Sequence, residues 1–444
     1  MTTHRCQICR KRMTRSQFVR FHGRVTCGAD LCLAVIEIFE RHHTDDSTIP
    51  YELRVEVQPL MQSCIAAWSN KELITPFYGL RQDIKIAQCI FNFMQELLSD
   101  QDIWVDLSPI HTTIRSRLLR LIIRFWSIKG DHIIPLPDEL LIPDSKITIN
   151  HRVPCWPEGS CAFIWSASYE NRQVVLKNPR YIPDCGIRKP GHPRIRRLYR
   201  ELLMMRNLDH PNIIKLIGFV QLECYDTEYR AKFGTPCLVL PRYMHSDVRQ
   251  YLREHPVLPA NHDTYSSMIH RWIYEMSVGL DYLHSQGVAH GDLRAGNIFV
   301  KDDLSGVVLA DFGMAVYASD VDGSSSSSRP SSSCWLAPEL LVLDSNGRQT
   351  KQGDIWAFGC VCIEMYTGQD PLFADKAKFI PEVVWYHRVV VDGERPPRPM
   401  FHGQRIMCDE LWHLIRNKCW LMKPFLRPTA RYLVAELGAM LNLL

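Results

Sequence analysis

The stretch His290-Gly291-Asp292-Leu293-Arg294-Ala295-Gly296-Asn297 decides how the second part of the chain is interpreted. It follows a helical pattern of apolar residues that Gly287 can terminate, because glycine readily adopts the conformation found at helix ends. The runs Ile298-Phe299-Val300 and Val307-Val308-Leu309 are separated by a polar turn and predict a short hairpin. Asp311-Phe312-Gly313 follows directly, so a carboxylate ends a strand beside a flexible glycine. Such a carboxylate is well placed to be an oxygen ligand of Mg²⁺.

Further short patterns flank this stretch on both sides. Before it lie the run Val174-Val175-Leu176-Lys177 and a helical pattern in which Glu201 shares one face with Leu198, Leu202 and Met205. Each pattern is weak alone, but their number and order argue against chance. The remaining patterns, in chain order, are His210-Pro211-Asn212-Ile213, Ala337-Pro338-Glu339, Asp354-Ile355-Trp356-Ala357-Phe358-Gly359 and Arg427-Pro428.

In this order the motifs resemble those of the eukaryotic protein kinases, over residues 155–444. The resemblance implies an α+β, two-lobed protein kinase fold with a small β-rich N-terminal lobe and a larger helical C-terminal lobe. It also implies that the chain transfers the γ-phosphoryl group of ATP to a protein hydroxyl with Mg²⁺ or Mn²⁺. That reaction depends mainly on positioning and on charge neutralisation.

The resemblance assigns catalytic roles to individual residues. Asp292 would orient the acceptor hydroxyl and take its proton, and Arg294 would steady the γ-phosphate. Lys177 would hold the α- and β-phosphates, while Glu201 would hold Lys177. The helix at Asp354 would anchor the loop that carries Asp292.

The resemblance also assigns binding roles. Asn297 and Asp311 would bind Mg²⁺, and Glu339 would form an ion pair with Arg427. The nucleotide slot would be lined by Lys177 together with Gly159, Ala162, Ile164, Val175, Phe299 and, at the gatekeeper position, Leu240.

Three positions depart from the family pattern. In the segment aligned with the Gly-rich loop only Gly159 survives, and Ala162 adds a methyl group where backbone should approach phosphate. Val175 replaces an alanine and narrows the adenine slot. Gly291 replaces an arginine that in many kinases binds the phosphorylated activation loop, so we expect weaker coupling between that phosphorylation and activity.

These departures remove no catalytic group, so an active kinase is the favoured interpretation. An ATP-binding pseudokinase scaffold is the first alternative, and a partner- or nucleic-acid-binding protein acting through residues 1–130 is the second. Arg294 resembles the residue that some tyrosine kinases carry at this position. The run Cys334-Trp335-Leu336 resembles the Trp-containing segment shared by tyrosine kinases and the tyrosine-kinase-like group. The latter mostly modifies Ser/Thr, which favours Ser/Thr over Tyr as acceptor. The run Ser324 to Ser333 fits either an autophosphorylation loop or a flexible loop.

Four of the sixteen cysteines lie near the N-terminus, as Cys6-x₂-Cys9 and Cys27-x₄-Cys32. Their number and type suit a closed structural Zn²⁺ site, and the gap between the pairs can form a hairpin. The cluster resembles small treble-clef zinc fingers and predicts a zinc-binding interaction module over residues 1–45. His22 could replace one of the four cysteines as a ligand, and a further alternative is a set of thiols without metal.

The rest of the chain predicts a helical region at 46–132 and a Pro-rich linker at 133–154. Its clearest helix, Ser108 to Ile128, is amphipathic and basic, and a packing helix with a solvated face is favoured over a membrane- or partner-binding one. A net charge of +4 over 444 residues makes nucleic acid an unlikely partner. No apolar run is long enough to span a bilayer and no signal peptide is evident, so we expect a cytoplasmic or nuclear protein.

Overall fold

The structure is a computed structural model in which a large apolar core joins the helices before residue 126 to the C-terminal helices, and a smaller one lies in the N-terminal sheet. The described residues are 4–5, 12–13, 19–21, 24–26, 34–35, 38, 57–59, 61–62, 64–65, 84–99, 109–126, 138–150, 162–179, 193–221, 224–226, 231–233, 236–255, 262–317, 333–341, 349–369, 384, 386–401 and 404–442.

The strands and helices of this part of the chain are as follows. The strands are β1 His4–Arg5, β2 Arg12–Met13, β3 Val19–Phe21, β4 Arg24–Thr26, β5 Ile147–Ile149, β6 Ala162–Tyr169, β7 Arg172–Pro179, β8 Gly218–Gln221, β9 Cys224–Asp226, β10 Ala231–Phe233, β11 Pro236–Pro241, β12 Val288–Ala289, β13 Ile298–Val300, β14 Val307–Leu309, β15 Val316–Tyr317, β16 Met400–Phe401 and β17 Gln404–Arg405. The longer helices are α1 Ile84–Ser99, α2 Pro109–Trp126, α3 Pro193–Arg206, α4 Val248–Glu254, α5 His262–Ser285, α6 Pro338–Leu341, α7 Lys351–Thr367, α8 Asp409–Leu414 and α9 Ala430–Met440.

The N-terminal lobe is built on a five-stranded sheet in the order β5-β6-β7-β11-β8, with antiparallel neighbours. Strands β6 and β7 are joined by Glu170 and Asn171, both with positive φ. Two such residues form the tight turn whose twist matches that of the flanking strands. The inward positions alternate along β7, where Val174 and Leu176 are fully buried. Lys177, the next residue, therefore points to the other face of the sheet.

The sheet begins earlier in the chain than the sequence patterns predict. Strand β5 lies inside the linker expected at 133–154, and Ile147 pairs with Tyr169 at the end of β6. Ile142 is also buried in the core of this lobe. A short edge strand tolerates nearby prolines, because its outer side needs no ladder hydrogen bonds. The high proline content concealed it, and the lobe starts before residue 155.

The helical region before the lobe packs against it. Helix α2 has nearly the bounds predicted, and its apolar residues Ile114, Leu118 and Ile122 are buried. Its basic side is not simply solvated, because the guanidinium of Arg115 donates to Gln286 Oε1 at 2.7 Å and that of Arg117 donates to the Ile65 carbonyl at 2.7 Å. This agrees with a packing helix. Within the described residues, no helix is long and apolar enough to cross a bilayer.

The C-terminal lobe is arranged around helix α7. Its residues from Gly353 to Tyr366 are buried throughout, and the surrounding elements include α5 and the turn Ile415–Cys419. The Thr350 hydroxyl caps its start by accepting from Gly353 N, and Gly368 ends it at φ +65°. The hairpin predicted before Asp311 is confirmed, since Phe299 of β13 pairs with Val308 of β14.

At the N-terminus two small hairpins are described. Strands β1 and β2 pair antiparallel, as do β3 and β4, and the second is the hairpin expected between the two cysteine pairs. Cys6, Cys9, Cys27 and Cys32 lie outside the described residues. The zinc site therefore stays a prediction.

Candidate active site

The loop that carries Asp292 is fixed to helix α7 by one buried carboxylate. Asp354 is 2% exposed, and its Oδ2 and Oδ1 atoms accept from the backbone N–H groups of His290 and Gly291 at 2.8 and 2.9 Å. The ring of His284 at the end of α5 contacts the same carboxylate at 2.9 Å. Helix α7, the anchoring helix expected from the sequence, therefore holds the loop through hydrogen bonds from the loop backbone to the Asp354 carboxylate.

Gly291 occupies a position that a side chain would disturb. Its φ is +79°, and a Cβ atom there would lie 2.7 Å from the Met314 carbonyl oxygen and 2.8 Å from Cγ of Gln349. The left-handed conformation alone disfavours residues other than glycine. Position 291, where the family pattern has arginine, therefore has no room for an arginine side chain in this conformation.

Asp292 and Asn297 are brought into direct contact. Asn297 is 3% exposed, and its Nδ2 donates to the Asp292 carbonyl oxygen at 2.7 Å and to Asp292 Oδ2 at 3.0 Å. Nε of Arg294 lies 3.6 Å from the same Oδ2 atom. The Asp292 side chain is 17% exposed, so it is oriented by two neighbours and still open to a reactant.

A buried cation joins the sheet, helix α3 and the strand-end carboxylate. Lys177 Nζ on β7 lies 2.6 Å from Glu201 Oε1 and 2.7 Å from Asp311 Oδ1. The side chains of Lys177 and Glu201 are 11% and 4% exposed, while that of Asp311 is 40% exposed. The structure therefore brings together the three charged residues named from the sequence.

The charges of Lys177 and Asp311 stabilise each other. Burial alone would lower the pKa of the Lys177 ammonium, but the carboxylates of Asp311 and Glu201 outweigh burial and raise that pKa above its usual value. Burial would also raise the pKa of Asp311, yet the adjacent ammonium holds it well below the usual range. Asp311 is therefore an anion, and Lys177 a cation, at neutral pH.

Asp311 is held in a left-handed conformation with φ +62°, and its carboxylate accepts from Gly313 N at 3.3 Å. Arg197 of α3 donates from Nε to the Gly313 carbonyl at 2.7 Å, a contact that sequence analysis did not foresee. Its position one turn before Glu201 was the available signal, because residues four apart share a helix face. Phe312 is buried with its ring 5.3 Å from that of His290, which ties this turn to the catalytic loop.

The residues expected to line the nucleotide slot sit on neighbouring strands. Val175 pairs with Leu240 across β7 and β11, and Ile164 pairs with Lys177 across β6 and β7. Ala162 begins β6, and Phe299 lies on β13 of the hairpin that precedes Asp311. Gly159 lies outside the described residues.

The donor set suits a hard divalent cation. The Nδ2 atom of Asn297 donates to Asp292, so the amide oxygen Oδ1 is the atom of this side chain that would bind a cation. Asp311 supplies an ionised carboxylate that is 40% exposed. Carboxylate and amide oxygens are typical ligands of Mg²⁺, which completes its shell with water and phosphate oxygens. These residues therefore fit the expected metal.

A second buried carboxylate links the catalytic loop to the segment before α6. Glu364 on α7 is 1% exposed, and its Oε2 accepts from Ala295 N at 2.9 Å and from Trp335 Nε1 at 2.6 Å. Burial raises the pKa of this carboxyl to about 7, although both donors oppose the shift. The sequence patterns did not indicate a role for Glu364. A lone carboxylate in the apolar run of α7 was the signal that could have found it.

The ion pair between Glu339 and Arg427 is present. The two guanidinium nitrogens contact the two carboxylate oxygens at 2.6 and 2.7 Å, and the Arg427 side chain is fully buried. Its guanidinium also lies 5.1 Å from the centroid of the Trp356 ring. A bidentate pair of this kind fixes direction as well as distance, so helix α6 is held to the segment that carries Arg427.

These features are those expected of a phosphotransferase site: a buried lysine paired with a helix glutamate, two side chains whose oxygen atoms suit Mg²⁺, and a carboxylate open to a reactant. The family model for protein tyrosine and serine/threonine kinases matches residues 167–437. The chain belongs to this family.

Similar proteins carry kinase names. The chain is 28% identical over 238 residues to the MAP kinase kinase kinase mkh1 of Schizosaccharomyces pombe, covering 53% of this chain and 19% of that protein. It is 27% identical over 262 residues to mitogen-activated protein kinase kinase kinase 2 of Arabidopsis thaliana, covering 59% and 36%. It is 28% identical over 260 residues to the tyrosine-protein kinase transforming protein RYK of an avian retrovirus, covering 57% and 53%. The matches therefore span between a fifth and about half of these relatives.

Replacing Gly291 by alanine should reduce both stability and phosphotransfer. A positive φ combined with a methyl group 2.7 Å from a carbonyl oxygen forces the catalytic loop to move, and strain of this kind costs about 1–3 kcal/mol. Gly393→Ala is the matched control, because Gly393 also has a positive φ but nothing lies within 4 Å of its Cβ position. Thermal unfolding and initial rates are the measurements. Equal losses in the two variants would contradict a specific role for the packing at Gly291.

Glu364→Gln should change how stability depends on pH. The buried carboxyl stays protonated up to about pH 7, whereas a glutamate in the unfolded chain ionises near its ordinary value of 4.5. The stability that the folded protein gains from this raised pKa is thus complete below pH 4.5 and is lost as the pH rises through about 7. Glutamine keeps the shape of the neutral acid and cannot ionise. Melting temperatures of wild type should fall relative to the variant across this interval, and parallel profiles would refute the expectation.

Proposed function

We propose that this chain is an ATP-dependent protein kinase that phosphorylates serine and threonine residues. The observation that carries the proposal is the assembly of the Lys177, Glu201 and Asp311 group beside the bonded pair of Asp292 and Asn297. A scaffold without catalytic activity would need neither an oriented, accessible carboxylate at Asp292 nor a metal-binding pair next to it.

The proposed chemistry assigns one task to each group. The acceptor hydroxyl oxygen attacks the γ-phosphorus of ATP, the bond to the β-phosphate oxygen breaks, and ADP leaves. The hydroxyl proton passes to the Asp292 carboxylate, which Asn297 Nδ2 holds at 3.0 Å in a fixed orientation. Lys177 holds the phosphates of the nucleotide by its charge. Bound Mg²⁺ supplies neutralisation of the phosphate oxygens, for which Asn297 and Asp311 are the protein ligands.

The preference for Ser/Thr rests on comparison. Two relatives are named as MAP kinase kinase kinases, and a third, 30% identical over 181 residues, is the serine/threonine-protein kinase RUNKEL of Arabidopsis thaliana. The match to a tyrosine-protein kinase keeps tyrosine as the lesser alternative. The tyrosine-kinase-like resemblance of the segment around Trp335 is consistent with this assignment.

Asp292→Asn should abolish most phosphotransfer while leaving ATP binding intact. The proton acceptor is worth on the order of 10²–10⁴ in rate, whereas the residues that contact the nucleotide are unchanged. Incorporation of labelled γ-phosphate into a basic protein measures the reaction, and hydrolysis of the product to phosphoamino acids separates Ser/Thr from Tyr. ATP binding by wild type without incorporation would favour the scaffold instead.

We also propose that residues 1–45 bind one structural zinc ion through Cys6, Cys9, Cys27 and Cys32. Cys6 and Cys9 fall in the connection between the paired strands β1 and β2, and Cys27 follows directly after β4. Short hairpins next to cysteine pairs are typical of small zinc modules. Such a module would serve as an interaction site for a protein partner.

The zinc proposal predicts one bound zinc per chain after purification without chelator. Cys9→Ser and Cys27→Ser should each lose it, because a closed site needs all of its thiolates. Cys89→Ser removes a half-buried thiol from helix α1 and should leave the zinc content unchanged. Full retention of zinc in both N-terminal variants would refute the site.

A further inference from the structure

Helix α3, which carries Glu201, is buried on more than the side that faces the active site. Leu198, Leu202 and Met205 form the expected inner face, yet Tyr199 and Leu203 are 8% and 0% exposed as well. Tyr199 and Leu203 are four residues apart and form a second stripe on the helix. A helix that is buried on two sides needs a second cover.

The helix pair α1–α2 supplies part of this second cover. Helix α2 contacts α3, and the apolar residues of all three helices belong to one continuous core. The contact is also polar, because the guanidinium of Arg206, the last residue of α3, donates to Gln95 Oε1 on α1 and to the carboxylate of Glu139. Arg206 is 12% exposed although it is charged, so this contact is a built part of the interface.

A second arginine fixes the neighbouring residue. Arg115 on α2 donates to the Asn207 carbonyl at 3.4 Å and to Gln286 Oε1, in the lobe below, at 2.7 Å. Asn207 in turn donates from Nδ2 to the Leu203 carbonyl at 2.8 Å, which closes the end of α3. The C-terminal end of α3 is therefore fastened to both α1 and α2, and α2 is fastened to the C-terminal lobe.

The fastened end is close to the catalytic ion pair. Arg206 is five residues after Glu201, about 7.5 Å along a helix axis. An α-helix transmits displacement of its end with little loss, and the contact between Glu201 and Lys177 is only 2.6 Å long. If the helix moves as a unit, a shift on the order of 1 Å at the end of α3 would lengthen this contact beyond hydrogen-bonding distance.

We propose that Arg206 is a positioning residue for phosphotransfer and that the pair α1–α2 is an internal support which keeps Glu201 on Lys177. The proposal rests on the proposed kinase function. In this arrangement α1–α2 holds α3 in its active position without a separate activating partner. A ligand that moved α1–α2 away from α3 would lower activity.

The test compares Arg206→Ala with Arg398→Ala in the full chain. Arg398 is a matched control in the C-terminal lobe. Its side chain is 13% exposed and that of Arg206 is 12% exposed, and the carboxylates with which they pair are 61% and 62% exposed. Arg398 also donates to a backbone carbonyl. Arg206→Ala should raise KM for ATP or lower kcat at least fivefold without changing KM for the basic protein used as phosphate acceptor. Arg206→Lys should restore part of the loss. Arg398→Ala should leave all three constants unchanged.

Two further measurements keep the inference separate from overall folding and from the proposed function. Hydrogen exchange should become faster in residues 193–206 but not in α7 of Arg206→Ala, and this readout needs no catalysis. If Arg206→Ala does not fold, Gln95→Met removes the acceptor on α1 at similar volume and should shift exchange and KM for ATP in the same direction. Identical exchange and identical ATP dependence in the Arg206 and Arg398 variants would overturn the proposal.

Discussion

The structure depends on one buried arrangement of charge, the ammonium of Lys177 between the carboxylates of Glu201 and Asp311. Removing one member of a buried ion pair commonly costs about 3–5 kcal/mol, because the remaining charge is left without water or partner. The three groups come from a strand, a helix and the end of a hairpin, and Asp311 lies 134 residues after Lys177 in the chain. The relative placement of these elements is therefore coupled to the electrostatics of the site.

The catalytic loop is governed by a different rule. It has little regular structure of its own, so its backbone polar groups need partners, and carboxylates of the apolar helix α7 supply them. Asp354 binds the loop at His290 and Gly291, and Glu364 binds it at Ala295. Placing two acids in an apolar helix is costly unless hydrogen-bond donors compensate for their burial. Here their cost is offset by the order they impose on the loop that holds Asp292.

Local patterns in the sequence predicted what local physics determines. The hairpin before Asp311, the inner face of α3 and helix α2 follow from apolar periodicity and turn residues, and all are present. Strand β5 was missed because an edge strand flanked by prolines has almost no periodic signal. The contacts of Arg197 and Glu364 were missed for another reason. They join elements distant in the chain, and a single sequence carries no record of which surfaces meet.

The backbone at Gly291 has a consequence for protein engineering. A designer who wished to place this enzyme under the control of activation-loop phosphorylation would start by writing arginine into position 291. A side chain at that position would collide with the Met314 carbonyl oxygen and with the side chain of Gln349. Both groups would have to move to make room for arginine, so a single substitution at position 291 would not be enough to introduce control by phosphorylation.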